Sequence, residues 1–141
     1  MIRKNQPQDT EVVLNIWLAA SIKAHDFISS EFWLSQLENM RRLYLPASEV
    51  YVYEQDGDVV GFYALNGSVL AAIFVDPAHQ GRGIGKALLQ HARAQRKALS
   101  LTVYKANQAS CAFYLKHGFS IEGEQQDPHT GHPELLMTTS D

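Results

Sequence analysis

Residues 69–75 read Val-Leu-Ala-Ala-Ile-Phe-Val, apolar without interruption. As a strand, such a segment needs cover on both of its faces. Asp76-Pro77 ends it, because proline has no N–H to continue a ladder, and Gln80-Gly81-Arg82-Gly83-Ile84-Gly85 comes at once after it. A doubly covered strand that passes through glycines into a helix restricts the chain to a layered, mixed α/β fold.

The neighbouring segments extend this reading. Asp56-Gly57 and Asn66-Gly67 are hairpin signals, so Val50–Glu54, Val59–Leu65 and Ser68–Val75 form three antiparallel strands. Upstream, a short strand near Ile2–Asn5 leads to Pro7 and to Asp9 or Thr10 as a helix cap, followed by Val13, Ile16, Trp17 and Ala20 at helical spacing. Ser29 or Ser30 caps a second helix with Trp33, Leu37, Met40 and Tyr44 as its buried stripe, and Pro46 ends it. Downstream, a helix runs to about Lys97 with Ile84, Leu88, Ala92 and Gln95 on one side. A strand over Leu99–Tyr104, an Asn107-capped helix stopped by Gly118, and strands over Phe119–Gly123 and Glu134–Thr138 complete the chain. The expected order is β-α-α-β-β-β-α-β-α-β-β.

The 141 residues suit one domain spanning 1–141. A net charge of -3 argues against a general nucleic-acid binder and against steering by anionic lipid. The single cysteine, Cys111, cannot form an internal disulfide, and no stretch is apolar enough to span a membrane or serve as a signal. A cytoplasmic protein, monomeric or homodimeric, is the expectation. His129 and His132 stand three residues apart without a cysteine or an obvious carboxylate to complete a metal set, so no metal is expected there.

Gly81, Gly83 and Gly85 lie at a strand-to-helix junction, where unpaired N–H groups and the helix dipole attract an anion. Arg82 and Lys86 add positive charge. A dinucleotide fingerprint needs a small residue at 86, and a nucleotide P-loop needs Gly at 80 with Ser or Thr at 87. Lys86, Gln80 and Ala87 fail both patterns.

The run Phe74-Val75-Asp76-Pro77-Ala78-His79-Gln80-Gly81-Arg82-Gly83-Ile84-Gly85-Lys86 resembles the acyl-CoA signature of the GNAT N-acetyltransferase superfamily. Asn107 with Ala112-Phe113-Tyr114-Leu115-Lys116-His117-Gly118-Phe119 resembles the second hallmark of that family. His25-Asp26-Phe27-Ile28 between two helices is similar to a small bacterial subgroup regarded as protein-lysine acetyltransferases. The resemblance implies acetyl-CoA as co-substrate and an amine as acceptor. It implies that Ile73, Phe74 and Val75 offer strand backbone to the pantetheine and thioester. Gln80, Gly81, Arg82, Gly83, Ile84, Gly85 and Lys86 would hold the pyrophosphate, Asn107 would bond the pantetheine arm or nearby backbone, and Tyr114 would be the general acid.

A phenol of pKa about 10 stays protonated at neutral pH yet can supply a departing thiolate, whose thiol has a pKa near 8.5. An N–H at Phe74 or Val75 is a candidate donor to the thioester oxygen. Deprotonating a lysine amine at pH 7 costs about 4.6 kcal/mol, against about 1 kcal/mol for an α-amine. Many family members carry a glutamate base on the strand before the Asn107 block, but Thr102 stands here. Candidate bases are His25, Asp26, Glu31, Glu54 and His79, with His25 preferred as the residue expected to overhang the thioester. Asp26, Phe27 and a sheet tyrosine, Tyr63, are expected at the acceptor cleft. A small-amine acetyltransferase, an acyl-CoA sensor without turnover and a partner-binding module stay open as alternatives.

Overall fold

The computed structural model describes residues 1–139. Seven strands form one sheet in the order β1-β2-β3-β4-β5-β7-β6. They are β1 (Ile2–Lys4), β2 (Glu49–Gln55), β3 (Asp58–Asn66), β4 (Val69–Val75), β5 (Ser100–Tyr104), β6 (Phe119–Gln126) and β7 (Pro133–Thr139). Every neighbouring pair is antiparallel except β4 and β5. The Asp56-Gly57 turn has φ of 53° and 84°, the left-handed pair that a two-residue hairpin matched to strand twist demands.

Helices α1 (Thr10–Ala24) and α2 (Ser30–Ser35) cover one face of the sheet, while α4 (Ile84–Gln95) and α5 (Gln108–Lys116) cover the other. Trp17, Trp33, Met40, Val52 and Phe62 anchor the first core; Tyr63, Leu88, Leu89, Leu101 and Met137 anchor the second. Gly61 lets α4 lie close to β3, since a Cβ there would come within 3.1 Å of both Leu88 Cδ1 and the Phe74 carbonyl oxygen.

The expected second helix is broken. After α2, a short α3 (Leu37–Asn39) passes into a five-residue π turn, Met40–Tyr44, in which Leu45 N donates to Met40 O at 3.0 Å. The longer bond adds one residue to the turn and slips the phase. Leu45 is therefore buried, whereas Tyr44, expected in the stripe, is 48% exposed. Ser29 does cap α2, its hydroxyl accepting from Phe32 N. Asp9 does not cap α1; its carboxylate accepts from Gln6 N at 2.8 Å and pairs with Arg3 at 2.8 Å. Helix α4 stops at Gln95 rather than Lys97, because Arg96 turns extended and reaches the Gly67 carbonyl at 2.9 Å and Glu49 at 2.7 Å. The last two strands run longer than expected, to Gln126 and from Pro133.

Arg3 joins β1 to the start of α1 through Asp9 and to β2 through Glu54 at 2.8 Å. Its guanidinium hydrogen bond holds the Asp9 carboxyl below the ordinary carboxylate range against the opposing effect of burial. Removing Arg3 strands a carboxylate that is only 5% exposed. Arg3→Met is expected to lower stability by about 2–3 kcal/mol, read as a shift in the urea midpoint.

Candidate active site

β4 and β5 register only at Val69 and Ser100, where Ser100 N donates to Ser68 O at 3.0 Å. Beyond that point they diverge. The β3–β4 register skips Ala71, and a bulge of this kind bends its strand and sharpens the local twist. The bent strand then settles which backbone groups face the opening. Asp76 N donates to Val60 O at 2.8 Å, and the register pairs Phe62 with Phe74 and Tyr63 with Ile73. Hydrogen bonding alternates along an antiparallel pair, so Phe74 directs its N–H and C=O to β3 while Ile73 and Val75 aim theirs into the gap. Gln80 Nε2 occupies the Val75 carbonyl at 3.1 Å. The N–H of Val75 and both polar groups of Ile73 are left facing the gap. The expectation of an oxyanion donor at Phe74 or Val75 thus narrows to Val75.

The glycine turn forms one end of this opening. Gly81 and Gly83 have φ of 81° and 80°, a region that side chains disfavour. Ala87 N makes the first bond of α4, to Gly83 O at 3.0 Å. The N–H groups of Ile84, Gly85 and Lys86 precede it and are free to meet an anion. Lys86 lies on the same rim, and so does Lys23 of α1, whose ammonium donates to Gln80 Oε1 at 3.1 Å. Lys23 was not legible as a site residue, since only the packing of α1 brings it there. Arg82 is exposed and does not line the cleft. The cleft encloses about 720 Å³, enough for a small cofactor, and runs from these glycines along Ile73–Val75 to Asn107 and Tyr114.

A second cavity of about 320 Å³ lies across the sheet, against Trp17, Trp33 and Met40. The two cavities share Ile73, Phe74, Asn107, Ser110 and Tyr114, so the gap between β4 and β5 joins them. Asp127 and Glu134 line the second cavity, whereas lysines line the first. Glu134 Oε1 accepts from Gln125 at 2.8 Å. Asp127 accepts from the Tyr104 hydroxyl, from His129 N at 2.9 Å and from Thr130 at 3.1 Å. Burial alone would raise the Asp127 carboxyl, but those hydrogen bonds outweigh it and hold it below the usual range.

Tyr114 stands where the cavities meet. The residue is 8% exposed, its hydroxyl donates to no group among the described residues, and burial pushes its pKa well above the ordinary phenol. Asn107 caps α5, its Oδ1 accepting from Ser110 N at 3.2 Å, so its side chain serves nearby backbone. His25 lines the second cavity but is 7% exposed, and burial lowers its pKa. Phe27 packs edge-on against Tyr104 and His132 at centroid distances of 5.7 and 5.1 Å.

Six expected residues do not join the site: Arg82 and Phe27, which line neither cavity, and four more. Tyr63 is fully buried beneath α4, stacked on Tyr51 at 5.1 Å with its hydroxyl 2.6 Å from His91 Nδ1. It pairs with Ile73 across the ladder, but its side chain packs in the core on the α4 side. Asp26 is exposed and lines neither cavity. Glu31 is an exposed residue of α2, and Glu54 is taken by Arg3. His79 lies on the lysine side, 3.2 Å from Asp76. Tyr104, Asp127 and Glu134 were missed because only the β5–β7 ladder and the Asp127-anchored loop bring them together.

This geometry agrees with what the chain is similar to. The Acetyltransferase (GNAT) domain family matches residues 46–121. The chain belongs to the GNAT acetyltransferase family. It is 35% identical over 139 residues to the Escherichia coli peptidyl-lysine N-acetyltransferase YiaC, covering 98% of this chain and 95% of that one. The solution structure of apo YjaB from Escherichia coli superposes with a TM-score of 0.85 at 29% identity, covering 98% and 95% of the two chains. The PaiA N-acetyltransferase of Thermoplasma acidophilum, solved with coenzyme A, shares the fold at a TM-score of 0.86 and 20% identity, over 100% and 98%. This GNAT protein is an acetyl-CoA-dependent N-acetyltransferase, and the free N–H groups, flanking lysines and open strand edge are chemically suited to a pyrophosphate with a pantetheine arm.

Gly83→Ala tests the glycine end. No atom lies within 4 Å of a Cβ built at Gly83, so the left-handed backbone alone is strained. Calorimetric affinity for coenzyme A is expected to fall about tenfold, matching a strain of roughly 1–2 kcal/mol.

Proposed function

We propose that this GNAT enzyme acetylates a cationic primary amine, the side-chain amine of a protein lysine, by direct attack on the acetyl-CoA thioester in a ternary complex. The observation that carries the reading is the Tyr114 phenol at the junction of a lysine-lined cleft and a carboxylate-lined cavity. Anionic phosphates suit the end with Lys23, Lys86 and the free N–H groups of α4. An ammonium suits the end with Asp127, Glu134 and the aromatic faces of Trp33 and Tyr104. The peptidyl-lysine activity named for YiaC and YjaB supports that acceptor.

Attack forms the amide C–N bond and breaks the C–S bond, and Val75 N–H is aimed to steady the thioester oxygen. Tyr114 donates its proton to the departing sulfur. A buried phenol keeps that proton against water at neutral pH, and it yields it to a thiolate whose own basicity is raised by the same low-polarity setting. The ammonium gives one proton to solvent to expose its lone pair and loses a second as it becomes an amide nitrogen. Glu134, a half-buried carboxylate lining the acceptor side, receives that second proton directly or through water, and the proton then restores the Tyr114 phenol. We assign the reaction to the cytosol, where a lone thiol such as Cys111 stays reduced.

Free thiol release from acetyl-CoA is the test, with a lysine peptide, spermidine and an amino acid as acceptors. The lysine peptide is expected to give the highest kcat/KM. Preference for spermidine would move the acceptor to polyamines, and tight acetyl-CoA binding with no thiol release from any amine would sink catalysis altogether. Tyr114→Phe is expected to lower kcat about 100-fold while shifting the Kd for acetyl-CoA less than about threefold. Glu134→Gln should raise KM for the amine about fivefold without moving KM for acetyl-CoA, as loss of roughly 1 kcal/mol of charge attraction implies.

A further inference from the structure

His25 closes α1, its N–H bonded to Ser21 O at 3.0 Å. The ring stacks on Trp33 at a centroid distance of 5.1 Å, inclined by 29°, with Phe27 and Tyr104 edge-on at 5.8 and 5.2 Å. Its Nε2 is 3.3 Å from Asn107 Nδ2. The orientation of that amide is not free. Asn107 Oδ1 accepts from Ser110 N as the cap of α5, so the amide turns its N–H donors towards His25. Nε2 must accept, and a neutral ring that accepts at Nε2 carries its proton on Nδ1. Nδ1 is buried without a hydrogen-bond partner among the described residues. Neither nitrogen is available to take a proton from an acceptor amine: one is committed, the other enclosed.

We propose that His25 is a positioning residue, locked as the neutral Nδ1–H tautomer, which holds the Asn107 cap and through it the helix that presents Tyr114. The proposal concerns the acetyl-transfer site itself and takes its activity arm from the acetyl-transfer reading. Protonation would set an Nε2–H against the Asn107 amide N–H. Relief requires the amide to flip, which gives Oδ1 to the imidazolium and takes it from Ser110 N, uncapping α5. Tyr114 sits two turns along that helix. Acid therefore slows the reaction by displacing the phenol, not by removing a base.

The titratable neighbours come from every element around the ring. They are Lys23 of α1, bonded to Gln80; exposed Asp26 and Glu31; Tyr104 of β5, bonded to Asp127; Cys111 and Tyr114 of α5; and His132 and Glu134 beyond Phe27 and Tyr104. None of them is hydrogen-bonded to His25 among the described residues. Burial is the main influence on the ring and favours its neutral form, with the Ser21 carbonyl acting in the other direction. A folded pKa below the ordinary value means that unfolding takes up a proton, so this contribution to stability is present above about pH 6.5 and is lost as pH falls below it.

Two measurements decide the matter. Long-range proton–nitrogen NMR of the full chain labelled at histidine nitrogen reads the tautomer with no substrate present. Unprotonated Nε2 and protonated Nδ1 are expected near neutral pH; a protonated Nε2, or a ring averaging between tautomers, overturns the proposal whatever the enzyme acetylates. The second is a rate profile between about pH 5.5 and 8.5 for the parent, His25→Ala and His25→Gln, each checked by a thermal melt. A glutamine oxygen can accept from Asn107 without titrating. His25→Ala is expected to lose about tenfold in kcat with KM for acetyl-CoA unmoved, and His25→Gln to recover most of that loss. The rate ratio of His25→Gln to parent should rise as pH falls, and titration of the acceptor cancels in that ratio. A glutamine enzyme as slow as the alanine one, a flat ratio, or an alanine enzyme as fast as the parent would each overturn it.

Discussion

The parting of β4 from β5 is the constraint on which the site depends. A sheet whose strands stay paired commits its backbone groups to its neighbours. Here the pairing stops after Val69 and Ser100, and the groups of Ile73 and Val75 are released along an edge in the middle of the sheet. An interior edge avoids the hazard of an exposed one, because α1 and α5 flank it and leave only a cleft. The extra residue at Ala71 bends β4 and sets the parity of residues 72–75. With the opposite parity, Phe74 would face the gap and Ile73 and Val75 would be tied to β3.

Much of this was legible in the sequence. Two glycine hairpins, an unbroken apolar strand and a glycine turn fixed the order of elements, because each is a local signal with a local cause. The glycine end of the cleft and Tyr114 were likewise readable from short segments. What could not be read depends on contacts between distant residues. Val75 rather than Phe74 as the free donor results from ladder parity, and an all-apolar strand carries no alternation to report its phase. Lys23 reaches the anion end only because α1 packs where it does, and Asp127 and Glu134 meet Tyr104 through strands that are neighbours in space alone.

Aromatic residues were the hardest to place. Tyr63 and Tyr104 are both strand tyrosines, each with a hydroxyl bonded to a polar partner, yet one lies under α4 and the other beside the second cavity. Their sheet faces differ, and no local pattern separates them. The π turn at Met40–Tyr44 is another case, where one extra residue exchanges the places of Tyr44 and Leu45 and a helical stripe misassigns both. His25 shows the limit of residue-type reasoning: an imidazole beside a reaction centre suggests a base, but its surroundings decide which of its lone pairs is free to act.

The opposed charges of the two ends bear on what happens once the acyl group has moved. On the proposed reading, an ammonium entering beside Asp127 and Glu134 would be drawn in as a cation, whereas the acetamide formed from it would carry no charge. The carboxylates would then have nothing left to attract. Turnover would thereby dismantle the grip that recruited the substrate, and the chemistry itself would ease exit from that mouth.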